Sequence, residues 1–165
     1  MKKLYLIVAT LSLLLASCGS STVKFNDTII GGLEKVENEL KVVADLMYDS
    51  EYDNALLTLD SLRQNLIYCA RTISALNCKS GEQLKAKSLE LLKLIETEFI
   101  PGFTSAINEY KRVDDIEDEE QIQAAYDEIY DKIVSIQNKY DQVNKELMTI
   151  QEIFAKENNI SLIPQ

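Results

Sequence analysis

QIQAAYDEIYDKIVSIQNKYDQVNKELMTIQEIF, residues 121–154, decides the fold. Ile122, Tyr126, Ile129, Ile133, Ile136, Tyr140, Val143, Leu147, Ile150 and Phe154 recur at alternating steps of four and three. Residues so spaced share one face of an α-helix, so the stretch predicts an amphipathic helix of about nine turns. A repeat this strict, near 3.5 residues, favours supercoiling against neighbouring helices. Asn158-Asn159 can supply a left-handed C-terminal residue, after which Ile160, Leu162 and Ile163 fold back on the last turn.

Three earlier segments carry the same rhythm. Ile29, Leu33, Val36, Leu40, Val43 and Met47 form one stripe, and Ala55, Leu59, Leu62, Leu66, Cys69, Ile73 and Leu76 a second. Leu84, Leu91, Ile95, Phe99, Phe103, Ile107, Tyr110 and Val113 form a third. Ser50-Glu51-Tyr52-Asp53 and Ser80-Gly81-Glu82-Gln83 read as helix-starting caps. Pro101-Gly102 interrupts the third stripe and predicts a kink between about Glu98 and Phe103. Connections near 48–51, 77–81 and 114–118 are short, which makes sequential helices antiparallel. The expected fold is all-α, an up-down-up-down antiparallel four-helix bundle with a kinked third helix and a long fourth. A tetratricopeptide array, suggested by Tyr52-Asp53-Asn54-Ala55-Leu56, would need a second copy 34 residues on, and none is present. Leu57, Leu92, Tyr130 and Val134 widen the stripes beyond a two-stranded seam, against an extended coiled coil.

The N-terminus reads differently. Met1-Lys2-Lys3 is a basic start, Leu4 to Leu15 an apolar run, and Leu15-Ala16-Ser17-Cys18 its small-residue end: a secretory signal, too short to span a bilayer as a mature helix. In these residues the chain resembles bacterial lipoproteins, whose lipobox is matched by Leu15, Ala16, Ser17 and Cys18. The resemblance implies that Cys18 becomes the mature N-terminus with a diacylglyceryl thioether, usually with added palmitate-type N-acylation, giving stable membrane attachment. Gly19, where some lipoproteins carry an inner-membrane retention aspartate, implies the outer membrane, on its periplasmic or surface side. Expected organisation is a signal peptide (1–17), a lipidated tether (18–27) and a bundle domain (28–165). Together with Phe154-Ala155-Lys156-Glu157-Asn158-Asn159-Ile160, the pattern is similar to small four-helix surface lipoproteins of Bacteroidetes and spirochaetes, a likeness that brings no mechanism with it.

Composition narrows function mainly by exclusion. The 165 residues include 27 acidic and 17 basic side chains and no histidine or tryptophan, which removes histidine-based catalysis and imidazole metal sites. No Ser-His or Cys-His pair, CxxC, glycine-rich phosphate loop or Glu-x-x-His motif occurs, so no enzyme activity and no cofactor are expected. Carboxylates at these spacings are expected on the solvated faces. Loss of residues 1–17 leaves a net charge of −12 over 148 positions, with −9 of it in residues 114–165. Nucleic acid is therefore not expected as a partner, because no basic stripe displaces phosphate counterions. Six of the seven residues from Asp114 to Glu120 are carboxylates. They suit the positive end of the fourth helix dipole, and they lack the alternating ligands and central glycine of a calcium loop. Asp114, Asp115, Glu117, Asp118, Glu119 and Glu120, with Tyr126 and Tyr130 beside them, form a candidate protein-binding edge.

With Cys18 taken by lipid, Cys69 and Cys78 remain as an even pair in an oxidising compartment. On one continuous helix their Cα atoms would lie about 13 Å apart, beyond the roughly 7 Å that a disulfide spans. A bond between them requires the second helix to stop near Thr72 to Ala75 and turn back; otherwise Cys69 serves as a small apolar core residue. Two function classes follow: a non-enzymatic interaction or scaffold module of the cell envelope, or an immunity-type inhibitor that captures a basic protein by electrostatic steering.

Overall fold

A computed structural model describes residues 21–113 and 116–162, and these form an all-helical bundle. Helices α1 (Ser21–Tyr48) and α2 (Tyr52–Ala75) are followed by a short 3-10 turn (Lys79–Gly81). Helix α3 (Glu82–Leu94) runs through a π-helical turn (Ile95–Phe99) into α4 (Ile100–Val113), and α5 (Glu119–Glu157) closes the chain. The signal peptide, Cys18, Asp114, Asp115 and Ile163 lie outside the described residues.

Each stripe read from the sequence supplies the core. Ile29, Leu33, Leu40, Leu59, Leu62, Ile73, Leu84, Leu91, Ile107, Ile133 and Leu147 are buried almost completely, in one continuous cluster. Leu92 joins it, whereas Leu57 and Tyr130, also expected to widen the stripes, face solvent. Residues 21–27 of the stretch expected as a tether are helical. Helix α1 begins at Ser21, with Val23, Phe25 and Asn26 already buried, because Phe25 packs 5.6 Å from the ring of Phe154. Gly81 permits that packing, since a Cβ there would lie 2.3 Å from Phe25 Cε1. Gly32 does the same for α2: a Cβ would meet Cys69 Sγ at 2.8 Å.

Helix ends depart from the expected caps for physical reasons. Ser50 does not cap α2 with its side chain. It adopts φ 61° and closes α1, with Glu51 N–H donating to the Leu46 carbonyl at 2.8 Å and Ser50 N–H to Met47 at 3.2 Å. That pair of bonds satisfies carbonyls that the helix leaves open, a Schellman closure around a left-handed residue. Asn159, at φ 54°, repeats the closure after α5, as expected, and seats Ile160 in the core. No side chain caps α3, whose start is set by the 3-10 turn and the buried Gly81. Asp118 does cap α5: one carboxylate oxygen accepts from Glu120 N–H and Gln121 N–H, both at 3.0 Å.

The interruption expected at Pro101-Gly102 takes the form of the π turn, and the helix continues through the proline. Ile100 N–H reaches the Ile95 carbonyl five residues back. Pro101 has no N–H to offer Thr97 and its ring crowds that carbonyl, which lies inside the widened turn where the mismatch is absorbed.

The core also holds polar groups that the period concealed. On α5 Asn144 and Gln151 are more deeply buried than Val143 and Ile150, because a straight helix drifts about 20° per heptad from a 3.5 repeat. Gln151 Nε2 donates to Asn26 Oδ1 at 3.4 Å, and the Tyr140 hydroxyl donates to Glu37 Oε1 at 2.8 Å. Glu37, at 4% exposure, corrects the expectation that carboxylates stay on the solvated faces. Both pairs step by eleven residues, three turns, along α1 and along α5, so they fix a single register between the two helices. On the solvated side Lys87–Glu146 (2.8 Å), Lys139–Glu98 and Lys132–Glu109 (3.0 Å) fix α3 and α4 against α5. Exposed pairs of this kind contribute little stability, about 0–1 kcal/mol each, so their part is alignment.

Candidate interaction site

The two acid-rich connections meet at one end of the bundle. Tyr52, the first residue of α2, stacks on Tyr110 near the end of α4, with centroids 5.9 Å apart and planes 2° from parallel. Tyr110 in turn contacts Tyr126 of α5 at 5.8 Å. Beside this ladder Lys111 Nζ donates to Asp53 Oδ1 at 2.6 Å. The start of α2, the end of α4 and the start of α5 are therefore neighbours, and the 49–51 turn brings the end of α1 with them.

Burial, then the neighbouring Tyr52 and Tyr126, pushes the Tyr110 hydroxyl above its usual range. Lys132 bridges Glu109 and Glu128 at 3.0 Å each, one helix turn along. Partial burial would raise Glu109, but hydrogen bonds from Lys132 and Ser105 outweigh it and hold the carboxyl low. Residues 45–53 and 109–132 contain fourteen carboxylates and three basic side chains. The positive N-terminal ends of α2 and α5 offset part of this charge, as do Lys111 and Arg112 in the last turn of α4.

Of the residues expected at this edge, Glu117, Asp118, Glu119 and Glu120 are exposed around the start of α5. Tyr126 joins the tyrosine ladder while remaining 37% exposed, and Tyr130 is 43% exposed. Sequence reading missed Tyr52, Tyr110 and the second acidic group, Asp45, Asp49, Glu51 and Asp53. The antiparallel order that it expected was the available signal, because that order brings the 48–51 connection to the same end as 114–118.

The remaining candidates are placed elsewhere. Cys69 is buried against α1 and Cys78 is half-buried with its Sγ 3.4 Å from Ser80 Oγ; both are free thiols. Helix α2 ends at Ala75, at the limit of the range expected for a disulfide, and the two thiols are nevertheless not bonded. Burial pushes the Cys69 thiol up, an effect only partly offset by Lys35. Among the described residues no group of three or more His, Cys, Asp or Glu side chains could hold a metal ion, and no helix is long and apolar enough to cross a membrane. Compared with protein-family models, with curated proteins and with solved structures, the chain matches none.

Proposed function

We propose that the chain is a lipid-anchored protein of the bacterial cell envelope that presents an acidic, tyrosine-lined tip to a protein partner. In this reading Cys18 carries the lipid, the long helices alternate up-down-up-down, and the third bends at its π turn. One observation carries it: the acidic connections and the Tyr52–Tyr110–Tyr126 ladder lie at the far end of the helices from Ser21. The opposite end gathers the start of α1, the turn before α3 and the end of α5, through Phe25 on Phe154 and Ser80 Oγ on Asn158 Oδ1 at 3.1 Å.

Only two residues separate Cys18 from Ser21, so an anchor there holds the bundle within about 10 Å of the bilayer. Helix α1, 28 residues long, then carries the tip about 42 Å outward. The tip's charge favours a basic partner, which keeps the inhibitor reading open as a special case of the same surface. The anchor is tested by fractionating cells that make the wild type or Cys18→Ser. The wild type is expected in the membrane fraction with the mass of a diacylglyceryl-modified, processed chain, and Cys18→Ser as unmodified precursor. A processed wild-type chain with an unmodified Cys18 contradicts the proposal.

A further inference from the structure

A second surface lies on the flank of the bundle, between α2 and α3. A groove of about 690 Å³ opens there, floored by Leu66, Ala70, Leu89 and Leu92 and edged by Ile67 and the small Ser74 and Ala75. Its charged rim consists of Arg71 from α2 with Lys93 and Glu96 from the α3 side. The volume lies within the range of small-molecule sites, which are mostly apolar with a few placed polar groups.

Three features give the groove a chemistry. Residues 61–81 contain no carboxylate, although the whole chain carries −10. Within this acid-free stretch Ile67 and Tyr68 stand 37% and 73% exposed on the outer face of α2. The register that pairs Asp53 with Lys111 brings Arg71 to about the level of Lys93, eighteen residues along each helix, and both cations line the groove, one from each side. Neither makes an ion pair among the described residues. The floor ends at the π turn, which contributes Glu96, and π turns inside helices recur at functional sites.

The geometry points to a binding site for a single-chain anionic amphiphile. The headgroup lies between Arg71 and Lys93 and the acyl chain along Leu66, Ala70, Leu89 and Leu92. Its ligand is a fatty-acid carboxylate, with Glu96 opposing the charge from one turn away. The site is independent of the anchor and of the tip, and it stands or falls without either.

The test uses residues 19–165, a span that contains every buried apolar residue among those described, from Val23 to Ile160. Palmitate is titrated while the amide NMR spectrum is followed. Saturable shifts confined to 66–75 and 89–96 are expected, with binding weakened about threefold or more for each methylene removed from the chain. Ala70→Trp, which fills the floor, is expected to abolish the shifts. Arg71→Glu with Lys93→Glu should weaken binding at least tenfold, and Glu96→Gln should strengthen it; unchanged melting of each variant shows that the fold is kept. Hexadecanol or hexadecyltrimethylammonium binding as well as palmitate overturns the proposal. So do shifts that survive Ala70→Trp, absence of saturable binding, or an acidic helical peptide that takes the groove where palmitate does not.

Discussion

Tyr140→Phe removes one oxygen from the centre of the bundle, and its cost follows from the surroundings of that atom. Tyr140 and Glu37 are 3% and 4% exposed, and the hydroxyl donates to the carboxylate at 2.8 Å. The ring sits edge-on to Phe99 at 5.8 Å, a contact that phenylalanine keeps, so the substitution isolates the hydrogen bond. A hydrogen bond to a charged group contributes about 1.5–3 kcal/mol, and a buried carboxylate that loses a donor has little access to replacement water. The expected loss is about 2 kcal/mol, which lowers the Tm of a domain this size by about 5–10 °C. Urea denaturation with a single midpoint measures it, the change lying in the midpoint and not in the slope. A Tyr140→Phe variant within about 0.5 kcal/mol of wild type refutes the reasoning, since surface substitutions cost no more.

Other perturbations test other parts of the fold. Gly81→Ala drives a methyl into the Phe25 ring and is expected to destabilise by about 1–3 kcal/mol, measured by the same denaturation. Ser50→Gly relieves the left-handed residue that closes α1 and should raise stability by about 0.5–1 kcal/mol, whereas Ser50→Val should lower it. Burial, reinforced by Glu37, raises the Tyr140 hydroxyl far above the ordinary tyrosine range. Because the folded state keeps a proton that the unfolded state releases, stability should be constant with respect to this group below about pH 10 and fall above it. In a tyrosinate absorbance titration Tyr140 is expected to ionise only as the protein unfolds. A thiol reagent should modify Cys78 readily in the native protein and Cys69 only on unfolding; native material with no reactive thiol would contradict the free pair.

Apolar spacing made the helices and most of the core legible, because a 3.6-residue period is imposed by the backbone and is visible at any burial. It failed where side chains, not periods, decide. The start of α1 was hidden because Val23 and Phe25 fall among Ser21, Thr22, Lys24 and Asp27, and what makes them helical is Phe154, more than 120 residues away. Glu37, Asn144 and Gln151 looked like surface residues because residue type outweighed phase. Their burial follows from helix drift, and Glu37 and Gln151 find partners across α1 and α5. Pro101 announced a break, and its form, a π turn centred a few residues earlier, depends on how the preceding turn accommodates the ring. The tip was half legible: the acidic run at 114–120 stood out, whereas Tyr52 and Tyr110 join Tyr126 only once α2, α4 and α5 are assembled.

The most direct test of the tip as the working surface is photocrosslinking in intact cells, with a photoreactive amino acid at position 49 or 117, or on the flank at position 141. A discrete protein adduct is expected from 49 and 117 and not from 141. It should be lost when Glu117→Lys, Glu119→Lys and Glu120→Lys are combined and weakened at high salt. Adducts from position 141 alone, or tip adducts indifferent to charge reversal, would contradict the account.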